Sequence, residues 1–539
     1  MTRTNFLAFF PASVCLLAAV PLAAQDNAHE GGHSEQAATA ATPSVSEAAK
    51  EASSEVEHPD SATFILADYG NGGFPIATSV PQAQAFFDNG IELAFAFAHQ
   101  EAIDAMAEAA RLDPACAMCL AGHAYTLGPT LNYGKTMEER AEPHALAKRA
   151  LDLAGAGTSD LERGWAAALV ERFRPQGTEE DRDKAYAKAM AALAARFPEH
   201  DTFQVLAADA QMSSDYTAES MVAANRLIEP VLARNPDHTG AMHFYIHSTE
   251  IGGEPGKAEA YADRLAALEL DASHLVHMPS HTYYWVGRYQ DAADANRKAV
   301  QIGEHQAMAM DDEDPMAVWG IPYHTHNVIF GLGGAMMAGD SRTALMLARP
   351  LVERAQSREE GSSFGQLLMS AGYFAFGRFE SPEVVLDLPE PRLPYLKAAW
   401  RYARGEALAF LGDTEGAAKE RDAIPMRVEL PEDEEENRLA AADQMLAITR
   451  AVLTGRLAMM DGRYRDAAAS FAEAAQIEET EDFSRFSDPP AFWYPVRRDL
   501  AQALLAAGDE QAALREARAT LEVRPRDPVA VELVARLAA

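Results

Sequence analysis

Positive charge is what this chain has least of. Across 539 residues, 46 Lys and Arg stand against 81 Asp and Glu, a net charge of −35 with His neutral. An acidic surface of that size repels phosphate backbones and anionic lipid alike, which excludes a nucleic-acid partner and leaves small cationic or metal partners open. Alternating β patterns are almost missing, and no segment after residue 24 is apolar enough to span a bilayer. Three familiar enzyme signatures are absent: the phosphate loop, the H-E-x-x-H zinc motif and the G-x-S-x-G elbow. Wholesale disorder is excluded as well, since 48% of the residues are hydrophobic, enough for a large core.

Cysteine is scarce, 3 in all, and one of them, Cys15, lies in the N-terminal apolar stretch. Arg3, the stretch from Phe6 to Leu22 broken by Pro11, and the small residues Ala23 and Ala24 read as a secretory signal peptide over residues 1–24. Val14 before Cys15 is a poor lipoprotein signal. The expected mature chain is periplasmic, without a membrane insertion, and keeps two cysteines where thiols can be oxidised. Residues 25–62 are Ala-, Ser- and Glu-rich with almost no large apolar side chain, a composition expected to form a flexible tether.

The remainder is rich in Ala, Leu, Glu and Arg with apolar residues at three- and four-residue spacings, the pattern of helices. It is also self-similar. Phe86, Gly90, Ala102, Ala109 and Pro114 sit at positions 4, 8, 20, 27 and 32 of a 34-residue unit, and Gly455, Gly462, Ala467, Phe471 and Ala474 at 8, 15, 20, 24 and 27. These are tetratricopeptide offsets: small residues at 8 and 20 let two helices cross closely, and larger ones wedge between neighbours. Partial copies recur at Gly287, Gly339, Gly412 and Gly508. The expectation is an all-α, right-handed solenoid of about nine helix pairs, with an N-terminal block over 63–378, a proline-rich break over 379–394, and a C-terminal block with a capping helix over 395–539. Such a solenoid offers a concave groove to an extended peptide or a protein partner, an argument from architecture.

Histidine is unevenly placed. Of 16, eight lie from His243 to His326, seven of them in three short segments. His243, His247 and Glu250, at i, i+4 and i+7, share one helix face, and His274, His277 and His281 do so if the helix runs through Pro279. His324 and Asn327 share a face of a third first helix, with His326 beside them. The candidate metal set is therefore His243, His247, Glu250, His277, His281 and His324, with His274 and His326 behind them. Neutral imidazole with carboxylate suits zinc, copper, iron or manganese without choosing among them. Histidines that bond buried carbonyls or grip a peptide carboxylate are the competing reading, and a metal-dependent enzyme or metal-handling protein is the alternative to a plain interaction scaffold. Tyr283, Tyr284 and Trp285 read as core between repeats, and Asp311, Asp312, Glu313 and Asp314 as a solvated loop.

Cys116 and Cys119 stand three apart after Asp113-Pro114. A disulfide, a dithiol metal site with His99, Glu101 and His123, and a redox motif all remain open for them. The segments His99-Gln100-Glu101-Ala102, Asp113 to Cys119, His277 to His281 and Tyr323 to Asn327 resemble those of a group of secreted bacterial tetratricopeptide-repeat proteins carrying H-x-E-A, D-P-x-C-A-M-C, H-M-P-S-H and Y-H-x-H-N. The resemblance covers roughly residues 80–350. It implies the fold and a shared use of the histidines, and supplies no catalytic residue.

Overall fold

The computed structural model describes residues 64–155, 158–310 and 317–538. The signal-peptide and tether segments and the Asp311–Asp314 run lie outside them. Every named element among the described residues is a helix, and the helices pair in sequence. Pro81–Phe95 pairs with His99–Leu112, Ala117–Thr126 with Ala141–Leu153, Asp160–Phe173 with Glu179–Arg196, and Asp201–Ser214 with Ala218–Arg234. Next come Thr239–Ile251 with Glu259–Ala266, the bent helix Ser273–His277 and Pro279–Trp285 with Tyr289–Met310, and His324–Ala338 with Ser341–Ser357. The chain is an all-α solenoid. No described helix is long and apolar enough to cross a membrane.

Local chemistry explains the pairing. Ser159 and Thr178 begin their helices with reciprocal capping boxes to Glu162 and Asp181, satisfying backbone donors that would otherwise be bare. Gly90 and Gly455 sit where helices cross; a Cβ there would meet Met106 at 2.7 Å and Phe471 at 2.5 Å. The turn glycines Gly287, Gly339, Gly412, Gly462 and Gly508 all hold positive φ between the helices of a pair, the conformation that lets the chain reverse without a Cβ penalty. Beyond the proline-rich break, Pro394–Phe410 packs directly on Ser363–Phe379, and one apolar cluster continues from Phe74 through Tyr373 and Tyr402 to Ala503. A short helix, Pro382–Asp387, lies among these prolines, and the core continues past them. The last described helix, Pro528–Leu537, buries Ala530 and Leu533 and leaves Val531 exposed.

The stack curls until distant turns touch. At its N-terminal side an extended strap ties several repeats together: Leu66 and Asn89 exchange two hydrogen bonds, Asn71 does the same with Thr239, Thr202 donates to the carbonyl of Gly72, and the amide of Asp271 donates to the carbonyl of Asp68. At the other end the Pro525 carbonyl accepts from the Tyr289 hydroxyl at 3.1 Å, and the Arg524 guanidinium lies over Trp285 at 4.6 Å. Gly287 makes that contact: its φ is +82°, and a Cβ would lie 2.0 Å from the Pro525 oxygen. Gly287→Ala combines a left-handed backbone with a hard backbone clash. It is expected to lower the melting temperature by several degrees and to raise amide exchange around residues 524–527, whereas Gly339→Ala, with open space at its Cβ, should show only the backbone penalty.

Candidate metal centre

Three first helices and two connecting loops build the site. Thr239–Ile251 presents His243, His247 and Glu250; the bent helix presents His274, His277 and His281; His324–Ala338 presents His326. Met278 keeps helical backbone, so the chain continues through Pro279 with only its hydrogen bonding altered. His274, the residue that a broken helix would have carried away, therefore stays in line with His277 and His281. Helix His324–Ala338 begins at His324 after Tyr323 in a left-handed conformation, φ 65°. Two residues are about 200° of helix rotation, so His326 faces the cluster and His324 cannot. His324 lies against Trp319 at a ring distance of 5.0 Å, its Nδ1 buried without a hydrogen-bond partner, apart from the grouped ligand atoms. Of the expected residues, His243, His247, Glu250, His274, His277, His281 and His326 come together, and His324 lies apart from them.

Ring nitrogens converge in three overlapping groups, each with its atoms within 4.8 Å: His243, His247 and His274; His277, His281 and His326; and His247, Glu250 and His281. Hydrogen bonds decide which nitrogens are bare. The His277 Nδ1 lies 2.6 Å from the Asn296 amide oxygen, an orientation pinned because the Asn296 nitrogen donates to the Ala292 carbonyl at 2.8 Å. His277 must donate there, leaving its Nε2 as a lone pair. His281 places Nδ1 2.7 Å from Glu250 and 3.2 Å from Asp488, again facing acceptors. His243 places Nδ1 2.6 Å from the Phe95 carbonyl. The opposite nitrogens then meet one another: His277 Nε2 is 2.8 Å from His281 Nε2 and 3.0 Å from His326 Nε2, and His243 Nε2 is 3.2 Å from His274 Nε2. Two nitrogen ligands on one tetrahedral ion at 2.0–2.1 Å stand about 3.3 Å apart, so a slight opening of these pairs suffices to seat a cation.

Burial keeps five of the six rings neutral, the form that binds metal. Desolvation depresses His243 to about 3 and His326 to about 4, and holds His247, His274 and His277 well below the ordinary histidine value. His281 goes the other way: burial would lower it, but the nearby carboxylates of Glu250 and Asp488 outweigh that and raise it to about 9. Glu250 is itself oriented by the Trp285 indole, which donates to its other oxygen at 2.5 Å. A carboxylate on Nδ1, with Nε2 turned to the neighbouring rings, is the usual outer support of a histidine metal ligand. His281 is inaccessible to solvent, while the Asp488 side chain keeps 38% of its surface, so the site is reached from that side.

The sequence reading missed Asp488, which arrives from the distant segment Ser487–Pro490 across the solenoid, and Asn296, an unremarkable polar residue on a second helix. It also missed Phe97. This residue turns with φ 56° between its two helices and packs its ring against His243, His274 and His247 at 4.4, 5.0 and 6.2 Å. His99 meets the Tyr323 hydroxyl at 3.0 Å, and Tyr323 covers His274 at 4.3 Å between rings. Trp285, expected in the core, contacts the site through its indole; Tyr284 is buried as expected.

Cys116 and Cys119 lie elsewhere. Their sulfurs are bonded to each other, Cα atoms 5.3 Å apart, with Cys116 at the N-cap of Ala117–Thr126 and both residues buried. No cysteine belongs to a group of metal-capable atoms among the described residues.

No family model matches the chain, and no curated protein matches it. Among solved structures it is similar to yeast Tom70, at 12% identity over 85% of this chain and 88% of that one with a TM-score of 0.30. It is also similar to the human IFIT1 dimer with m7Gppp-AAAA, at 12% over 86% and 92% with 0.29, and to the P58(IPK) TPR domain, at 11% over 85% and 97% with 0.21. The fold description rests on the helix pairing itself.

Two outcomes check this geometry. Phe97→Ala opens a cavity over three imidazoles and is expected to cost about 3–5 kcal/mol in urea unfolding. Thiol titration of the unfolded chain 25–539 without reductant should find no free thiol, and two after reduction.

Proposed function

We propose that this is a periplasmic helical-repeat protein that holds a transition metal ion in a buried histidine centre, with His277, His281 and His326 as ligands. One observation carries the reading. The Nε2 of His277 faces those of His281 and His326 at 2.8 and 3.0 Å, while Asn296 and the Glu250–Asp488 pair occupy the far side of the first two rings. The bare Nε2 of His277 accepts from its two neighbours, and a cation that displaces the shared protons would take all three nitrogens as ligands. Copper and zinc both suit imidazole, and the order of affinities favours copper.

The scaffold reading draws support from the helix-pair architecture. Its groove version fits less well, because the histidines are covered by Phe97, Tyr323 and the Asp488 segment, and a peptide would find the rings buried. A protein partner has the outer surface instead, where Phe410 and Met426 expose 81% and 74% of their area.

Elemental analysis of the untagged chain 25–539, purified without chelator, is expected to find stoichiometric transition metal. His247→Ala combined with His281→Ala should abolish it and leave helical content nearly unchanged. Absence of metal from the purified chain, together with no uptake of copper or zinc by it at micromolar concentrations, would overturn the reading.

A further inference from the structure

The centre has two lobes, and the reading above uses one. We infer that it is a two-ion site, with a second transition-metal ion held by His243, His247 and His274 beside the first. The inference rests on the one-ion reading and adds a separate set of ligands.

The second trio repeats the logic of the first with different partners. Its ligand atoms lie within 4.8 Å of one another. His243, His247 and His274 are 0%, 7% and 6% exposed. The Phe95 carbonyl takes the His243 Nδ1 proton and aims its Nε2 at His274 Nε2, 3.2 Å away. Two further nitrogens, His247 Nε2 and His274 Nδ1, are buried without any hydrogen-bond partner. Such atoms are rare in a folded interior and call for an occupant. Phe97 closes one side, its ring packed on all three imidazoles, which leaves an apolar wall rather than a row of groups that could hold water.

The two lobes abut. His247 and His281 rings are 5.2 Å apart, and His274 and His277 are 5.6 Å apart. Glu250 groups with both His247 and His281, so the carboxylate stands at the seam between the ions. As ligands, the six imidazoles are neutral and bring no charge of their own. The negative charge available to offset two ions is that of Glu250 and Asp488, a match for two monovalent ions rather than two divalent ones. Imidazole ligands suit copper, and that charge limit suits its monovalent state. The inner lobe is walled by Phe97, whereas the outer one opens at Asp488, so an exogenous small ligand would enter over His326 and Asp488.

Copper titration of the demetallated chain 25–539 tests this. Anaerobic titration with copper(I) against a chromophoric chelator is expected to count two ions per chain in the wild type. His243→Gln with His274→Gln should take up one, and so should His247→Gln alone if its unpartnered nitrogen is a ligand; circular dichroism and thermal melts on the same samples identify any variant that has lost its fold. After loading with copper(II), the wild type should give an electron paramagnetic resonance intensity below its copper content, from coupling of neighbouring ions, and the one-ion variants full intensity. A wild type that binds one ion, unchanged by the His243 and His274 substitutions, overturns the second site and leaves the first standing. A chain that binds none overturns both.

Discussion

An imidazole buried without a second proton keeps one lone pair, and inside a packed stack of helices there is little water to take it. Much of the middle of this molecule follows from that constraint. The Phe95 carbonyl, the Asn296 amide and the Glu250 and Asp488 carboxylates each face the protonated nitrogen of a histidine, which turns the other nitrogen inward. With these acceptors in place, His243 and His277 turn unprotonated nitrogens toward the neighbouring rings, the feature on which the metal proposal rests.

The enclosure of these rings comes from closure of the solenoid. A straight stack would leave its first helices open along a groove. Here the strap around Asn71 joins turns far apart in sequence, and the Pro525 turn presses against Gly287. Between these closures Phe97 and Tyr323 are held in left-handed backbone that bulky residues adopt only when the surroundings enforce it. Both side chains cover the histidines. Backbone strain at the lids and desolvation of the ligands are thus two results of one geometry, and the acidic surface outside leaves cation approach unopposed.

Residue spacing made part of this legible. His243, His247 and Glu250 share a face because a helix has 3.6 residues per turn, and the turn glycines mark the repeats because only a missing Cβ permits their φ. The errors also have physical sources. His324 and Asn327 share a face by their spacing, yet in the helix that follows left-handed Tyr323 it is His326 that meets the other imidazoles, while His324 packs on Trp319. Pro279 raised doubt about His274 because proline removes a hydrogen bond, yet the backbone at Met278 stays helical and the face survives. Asp488 lies more than 150 residues from the histidines it meets, and no local pattern relates them.

Sequence by itself determined the helical class, the repeat, the histidine-rich first helices and the pair of cysteines, since each depends on spacings within a few turns of one chain segment. Tertiary structure alone decided which imidazoles share a point, which nitrogen of each is bare, and which carboxylate from a remote repeat completes the site. Those depend on how far the solenoid curls. Curl is the sum of small rotations between successive pairs, a quantity spread over hundreds of residues and written in no single motif.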